Sequence, residues 1–166
     1  MPEERFNVVD PVAVGDLTKV SEYPLIPPTK RVKCVIKRIT PISNKEKTWR
    51  GLSVGVQIKD GIQNEKGEIK YQHMYVNLDP ICYYGDEKVY PEMTEDRRHL
   101  GKLKSFFKAT GMLGRNVDDT LINDLKGKEV YADIESSEDK RPKSPTFGEP
   151  INRVVRVREV PIEEQV

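Results

Sequence analysis

Apolar and polar residues alternate with a period of two in several separate stretches of this chain. Val32, Cys34 and Ile36 fall on one face, with Arg31, Lys33, Val35 and Lys37 on the other, which predicts a strand opening near Lys30. Pro41 to Lys47 reads as a polar turn. Leu52, Val54, Val56 and Ile58 then carry the alternation through a second strand, whose opposite face is Trp49, Gly51, Ser53, Gly55 and Gln57. The dipeptides Asp60-Gly61 and Lys66-Gly67 mark a reversal into a third strand from about Ile69 to Leu78. There Met74, Val76 and Leu78 alternate with Tyr71, His73, Tyr75 and Asn77.

Pro80 and Pro91 bracket a segment with no period, rich in tyrosine (Tyr83, Tyr84, Tyr90). Beyond it the period changes. Thr94 can cap a helix whose first turn holds Glu95 and Asp96, whose apolar stripe is Leu100, Leu103 and Phe107, and which Gly111 ends. A second short helix is predicted from Asp119 to Lys126, ending at Gly127. Strands return at Glu129 to Ser136 and at Asn152 to Val160, separated by a polar, proline-broken loop from Ser137 to Pro150. Three strands, a helical insert and two more strands predict a mainly β fold, a five-stranded oligonucleotide-binding (OB) barrel with its insert between strands three and four. The first 29 residues, with five prolines and no sustained period, read as an extended lead-in to a domain spanning 30–160, followed by a tail at 161–166.

Length and composition narrow this further. At 166 residues the chain suits one hydrophobic core, and a polar composition with 33% charged residues is that of a soluble protein. No apolar run approaches the roughly eighteen residues that span a bilayer, and Met1 to Val9 does not resemble a signal peptide, so a cytoplasmic location is expected. Cys34 and Cys82, outside any C-x-x-C pair and among apolar neighbours, read as reduced, buried thiols.

The net charge of +1 conceals an uneven distribution. Residues 30–50 carry eight basic side chains, Lys30, Arg31, Lys33, Lys37, Arg38, Lys45, Lys47 and Arg50, against Glu46 alone, while residues 1–29 are net acidic at -3. Such a block suggests a local anion-binding surface, although a solvated strand face has the same composition. With apolar residues turned inward, Lys33, Lys37, Trp49, Tyr71, His73 and Tyr75 face outward beside Gly51, Ser53 and Gly55, and strand parity predicts one common trough for Lys33, Lys37, Tyr71 and Tyr75. Flat small residues flanked by rings and cations suit single-stranded nucleic acid, with bases on the rings and phosphates along the cations. Equally, the tyrosines can pack on the helix and the small residues ease barrel closure. Lys140, Arg141, Lys143 and Phe147 place further cations and a ring on the loop that in such barrels often closes over a ligand. Arg156 and Arg158 extend the basic track along the last strand, where alternation sends Arg153 to the other face.

Catalysis finds no support. Asp60, Asp79, Asp86 and Asp133 are scattered without a motif to gather them on a metal, and His73 and His99 lack companions at ligand spacing. There is no phosphate-binding G-x-x-x-x-G-K-[ST] loop and no nucleophile elbow. No cofactor or metal is expected.

The chain resembles a family of phage and prophage single-stranded-DNA-binding proteins. The resemblance is carried by Lys30 to Ile39, by Tyr75-Val76-Asn77-Leu78, and above all by Leu100-Gly101-Lys102-Leu103-Lys104-Ser105-Phe106-Phe107-Lys108-Ala109-Thr110-Gly111, followed by Leu125-Lys126-Gly127-Lys128-Glu129-Val130. The family implies an OB barrel that coats single strands beside replication or recombination proteins in the host cytoplasm. DNA, with RNA also possible, is therefore the expected partner. The rival is a protein-interaction or virion-structural barrel, in which the same aromatic patch meets a protein. The loop after residue 136 is longer and richer in proline than the family pattern, and Cys82 to Pro91 has no counterpart in it.

Overall fold

The computed structural model describes residues 10–20, 24–91 and 97–164. Its strands are β1 (Thr29–Ser43), β2 (Trp49–Ile58), β3 (Ile62–Gln63), β4 (Ile69–Lys70), β5 (Tyr75–Leu78), β6 (Ile81–Gly85), β7 (Glu129–Glu138) and β8 (Pro150–Glu159), and its helices are α1 (Gly101–Thr110) and α2 (Asp119–Leu125). The long β1 pairs antiparallel with β2 on one side and β7 on the other. β7 continues antiparallel to β8, β8 lies parallel to β5, and β5 returns antiparallel to β2, which closes the barrel. After Asp79-Pro80, β6 pairs with the first half of β2. β5 and β6 thus act as one bent third strand, split where proline has no N–H to donate. Five barrel strands, a parallel third-to-fifth pairing and helices between the third and fourth form an OB-type barrel, as the element order predicted.

The period-two pattern explains the interior. Leu52, Val54, Val56 and Ile58 are completely buried and meet Cys34, Ile36, Val130, Ala132 and Ile134 from the neighbouring strands. Phe106 and Phe107 of α1 and Leu121 and Leu125 of α2 join the same cluster. Each of the buried Leu, Ile, Val and Phe side chains stabilises the fold by about 1.5–3 kcal/mol relative to exposure. Cys34 lies in this core, where burial pushes its thiol up to about 12, whereas Cys82 is half-buried. α1 starts after a short 3-10 turn at Arg98–Leu100 and ends at Gly111, whose left-handed backbone (φ 73°) lets its N–H reach the Phe107 carbonyl. The helix-capping residue expected from sequence, Thr94, lies outside the described residues, as do Glu95 and Asp96. α2 is capped by Asp118, whose carboxylate accepts the Leu121 N–H at 2.8 Å.

Three departures from the alternation matter for function. The continuous third strand predicted from Ile69 does not form. β4 instead pairs with β3 as a small hairpin, and the chain turns through Tyr71 and His73 in left-handed backbone (φ 63° and 66°) before β5 begins at Tyr75. The tyrosine-rich stretch after Pro80, read as irregular, supplies β6 as far as Gly85. The lead-in is packed from Ile26, which is 1% exposed and held through both backbone groups by the Asn152 amide, each bond 2.8 Å. At the other end, Ile162–Glu164 forms a 3-10 turn against the barrel, where Tyr131 donates its hydroxyl hydrogen to the Glu164 carboxylate and the Lys33 ammonium donates to the Glu164 carbonyl.

Bulges reset the faces of several strands. Lys37 has no partner in the β1–β2 register, Val155 has none in β7–β8, and Tyr83 is the extra residue in β6 against β2. Each inserts one residue and shifts the parity of everything beyond it.

Candidate nucleic-acid interface

On the outer surface of β1, β2 and β5 the register aligns Arg38 with Gly55, Thr40 with Ser53 and Ile42 with Gly51, and it aligns Gly55 with Asn77 and Gln57 with Tyr75. The Lys37 bulge decides which cation stands here. Uninterrupted alternation would place Lys37 opposite Gly55, but the extra residue puts Arg38 there and leaves Lys37 exposed beside it. The Arg38 guanidinium lies 5.1 Å from the centroid of the Tyr75 ring, whose residue is 52% exposed.

The small residues of β2 serve as seats. A Cβ added to Gly55 would lie 3.0 Å from Asn77 Oδ1 and 3.2 Å from Arg38 Nε, so the missing side chain lets both groups close over the strand. At Gly51 the same atom would lie 2.5 Å from Trp49 Cη2 and 2.9 Å from the Ile81 carbonyl oxygen, which shows the indole resting on bare backbone. The floor is therefore already covered by two flat groups of the protein, an indole and a guanidinium, where the sequence reading expected it open for bases. What remains for a ligand is the outer face of those groups and of Tyr75. Gly51→Ala is expected to lift the indole and shift the emission maximum of the single tryptophan. An unaltered emission spectrum in a folded variant would mean that the ring is not seated there.

The turn at one end of this surface, residues 44–48, is built by Asn44. Its side chain accepts the Trp49 N–H at 3.1 Å and donates to Thr48 Oγ1 at 2.6 Å, while Lys45 and Lys47 stand exposed. Arg50, of opposite parity to Trp49, lies 5.0 Å from the Tyr84 ring centroid on the other side of the hairpin. Beside Asn77 opens a concavity of about 750 Å³, walled by Asp79, Pro80 and the base of the β7–β8 loop.

That loop is ordered around Asp139, 2% exposed. Its carboxylate accepts two bonds from the Arg141 guanidinium, at 2.9 and 3.0 Å, and one each from the Ser144 and Thr146 hydroxyls. These partners, Arg141 first, hold the Asp139 carboxyl far below the usual carboxylate range. Arg141 is thereby committed to the loop's own architecture, while Lys140, Lys143 and Phe147 remain exposed.

The predicted common trough for Lys33, Lys37, Tyr71 and Tyr75 does not exist. Lys33 shares β1 but turns to Glu129, 3.6 Å away, and to the C-terminal turn. Lys59 also donates to Glu129, and this pairing above all lowers the Glu129 carboxyl. Tyr71 is half-buried against the core, and His73 is exposed on the turn before β5. On β8 the Val155 bulge returns Arg153 to the outer face with Arg156 and Arg158, so the predicted split between them is not found. Two of the three are neutralised: Arg153 pairs with Asp79 and Arg158 with Asp133, both at 2.9 Å. Burial alone would raise the Asp133 carboxyl, but Arg158 and the Arg31 N–H hold it below the ordinary value. Arg156 is exposed and faces a separate cleft beside α1. Arg38 and Asn77 were not among the predicted site residues. Asn77 was legible as an outward position beside Tyr75, whereas Arg38 depends on a bulge that no local signal announces.

Among the described residues, no three His, Cys, Asp or Glu side chains gather as a metal site would require, and no helix is long and apolar enough to cross a membrane. No protein-family model matches this chain, and no curated protein matches it.

Proposed function

We propose that this barrel binds single-stranded DNA with little sequence preference, as a non-catalytic accessory to replication or recombination in the cytoplasm. The observation that carries the reading is the outer surface of β2 and β5. There Trp49, the Arg38–Tyr75 pair and Asn77 lie in one patch, with Lys45 and Lys47 on the adjoining turn and Lys140 and Lys143 on the loop after β7. In OB barrels this face and these two loops form the usual ligand track. Rings that stack on any base, with cations that meet any phosphate, give affinity without reading sequence. The resemblance of the Leu100 to Gly111 segment to phage single-stranded-DNA-binding proteins points the same way.

Titration with oligo-dT, followed by Trp49 fluorescence, tests the reading. Saturable quenching is expected at about 50 mM salt, with log affinity falling against log salt at a slope near -3 if about four cations meet phosphates. Absence of quenching and of any change in oligonucleotide anisotropy would favour the protein-interaction barrel. Stronger binding of oligo-U would move the assignment to RNA.

A further inference from the structure

Between α1 and β8 lies a cleft of about 330 Å³ that contains none of Arg38, Trp49 or Tyr75. Its floor is apolar: Phe106 of α1, Ile81 of β6, and Val154 and Val157 of β8, all members of the core cluster. The Val155 bulge adds to the lip an apolar side chain left 43% exposed, between Val154 and Val157, which are buried. The rim is charged, with Lys102, Arg153 and Arg156 against a single carboxylate, Asp79. Asp79 pairs with Arg153 through a terminal guanidinium nitrogen, and Arg153 Nε is buried without an acceptor. A buried donor left unpaired is uncommon and favours an incoming acceptor. Lys102 and Arg156 stand exposed, with no ion pair among the described residues.

An apolar floor under a cationic rim selects for two properties in one ligand. A phosphodiester chain would satisfy the rim and leave the floor wet. A purely apolar segment would fill the floor and leave the cations uncompensated. A short peptide in which a bulky apolar side chain is flanked by carboxylates satisfies both. From this charge and shape complementarity we infer that the α1–β8 cleft is a docking site for an acidic, apolar-anchored segment of a partner protein. The cleft shares Leu78, Asp79 and Arg153 with the concavity beside Asn77 but none of the rings, Arg38 or the lysines of the proposed nucleic-acid surface, and the inference does not depend on that surface. The chain's own tail has related chemistry, with Ile162 84% exposed beside Glu163 and Glu164, but Glu164 is engaged at Tyr131 and Lys33.

The test uses the full chain and a fluorescein-labelled hexapeptide of four glutamates followed by leucine and phenylalanine, read by anisotropy. Saturable binding is expected, weakened about tenfold or more by Arg156→Glu, by Lys102→Glu or by replacing the two apolar residues with serine. Either charge reversal should leave oligo-dT quenching of Trp49 unaltered, and thermal melting confirms that each variant folds. The inference is overturned by lack of saturation, or by equal binding of the serine peptide. It is also overturned by displacement of the hexapeptide by oligo-dT, which would join the cleft to the nucleic-acid track. Displacement by a peptide of residues 160–166 at lower concentration than the unlabelled hexapeptide requires would assign the cleft to the chain's own tail.

Discussion

Oligo-dT affinity is expected to fall by about 5- to 150-fold when Tyr75 is replaced with alanine, with little change in its salt dependence. The range is the energy of one base–aromatic stack, about 1–3 kcal/mol, expressed as an equilibrium ratio. Tyr75 is the most exposed ring on the strands of the proposed surface, and the Arg38 guanidinium beside it offers a second flat face to the next base. Removing the ring takes away the stack and leaves Arg38 in place, so the number of phosphate contacts, which sets the salt slope, should hardly change. Charge deletions divide differently. Lys45→Ala or Lys47→Ala should flatten the slope by about 0.7 each, the value of one contact on a single strand. Lys33→Ala should leave it unchanged, because Glu129 and the C-terminal turn already hold that ammonium. Full affinity in a folded Tyr75→Ala variant would place the ligand surface elsewhere on the barrel.

The second large effect is on stability. Ile26→Ala should cost about 2–5 kcal/mol, the range for truncating a fully buried aliphatic side chain to alanine. For a domain of this size that corresponds to a melting temperature lower by about 4–20 °C. Ile26 precedes every strand, yet it is as buried as the centre of β2, and both of its backbone polar groups are satisfied by the Asn152 side chain. Neighbouring Pro27 and Pro28 are exposed, and substitutions there should be nearly silent. Calorimetric melting separates the cases. An unaltered melting temperature in Ile26→Ala would mean that the segment before β1 is not part of the fold.

Ile26 also illustrates why proline-rich segments are hard to read. Two adjacent apolar residues between prolines, Leu25 and Ile26, show no period, and the burial of Ile26 depends on an asparagine 126 positions away. Tyr71, His73 and Tyr75 illustrate the converse error. They alternate cleanly in sequence, but the β3–β4 hairpin draws the chain into a turn, so only Tyr75 stands on the barrel's outer face. Arg38 and Arg153 show the part played by bulges. Neither Lys37 nor Val155 is marked locally as an inserted residue, and each redirects the cations next to it.

Chain order and hydrophobic period by themselves determined the barrel: which strand residues fill it, and that a helical insert divides strands three and four. Burial sets these features, and apolar spacing encodes burial locally. Only the tertiary structure decided which cations remain available. Lys33, Arg141, Arg153 and Arg158 are each claimed by a carboxylate from a neighbouring strand, a loop or a strand end, while Arg38 is set on Tyr75. A charge finds its partner through space, and one inserted residue is enough to change which partner it meets.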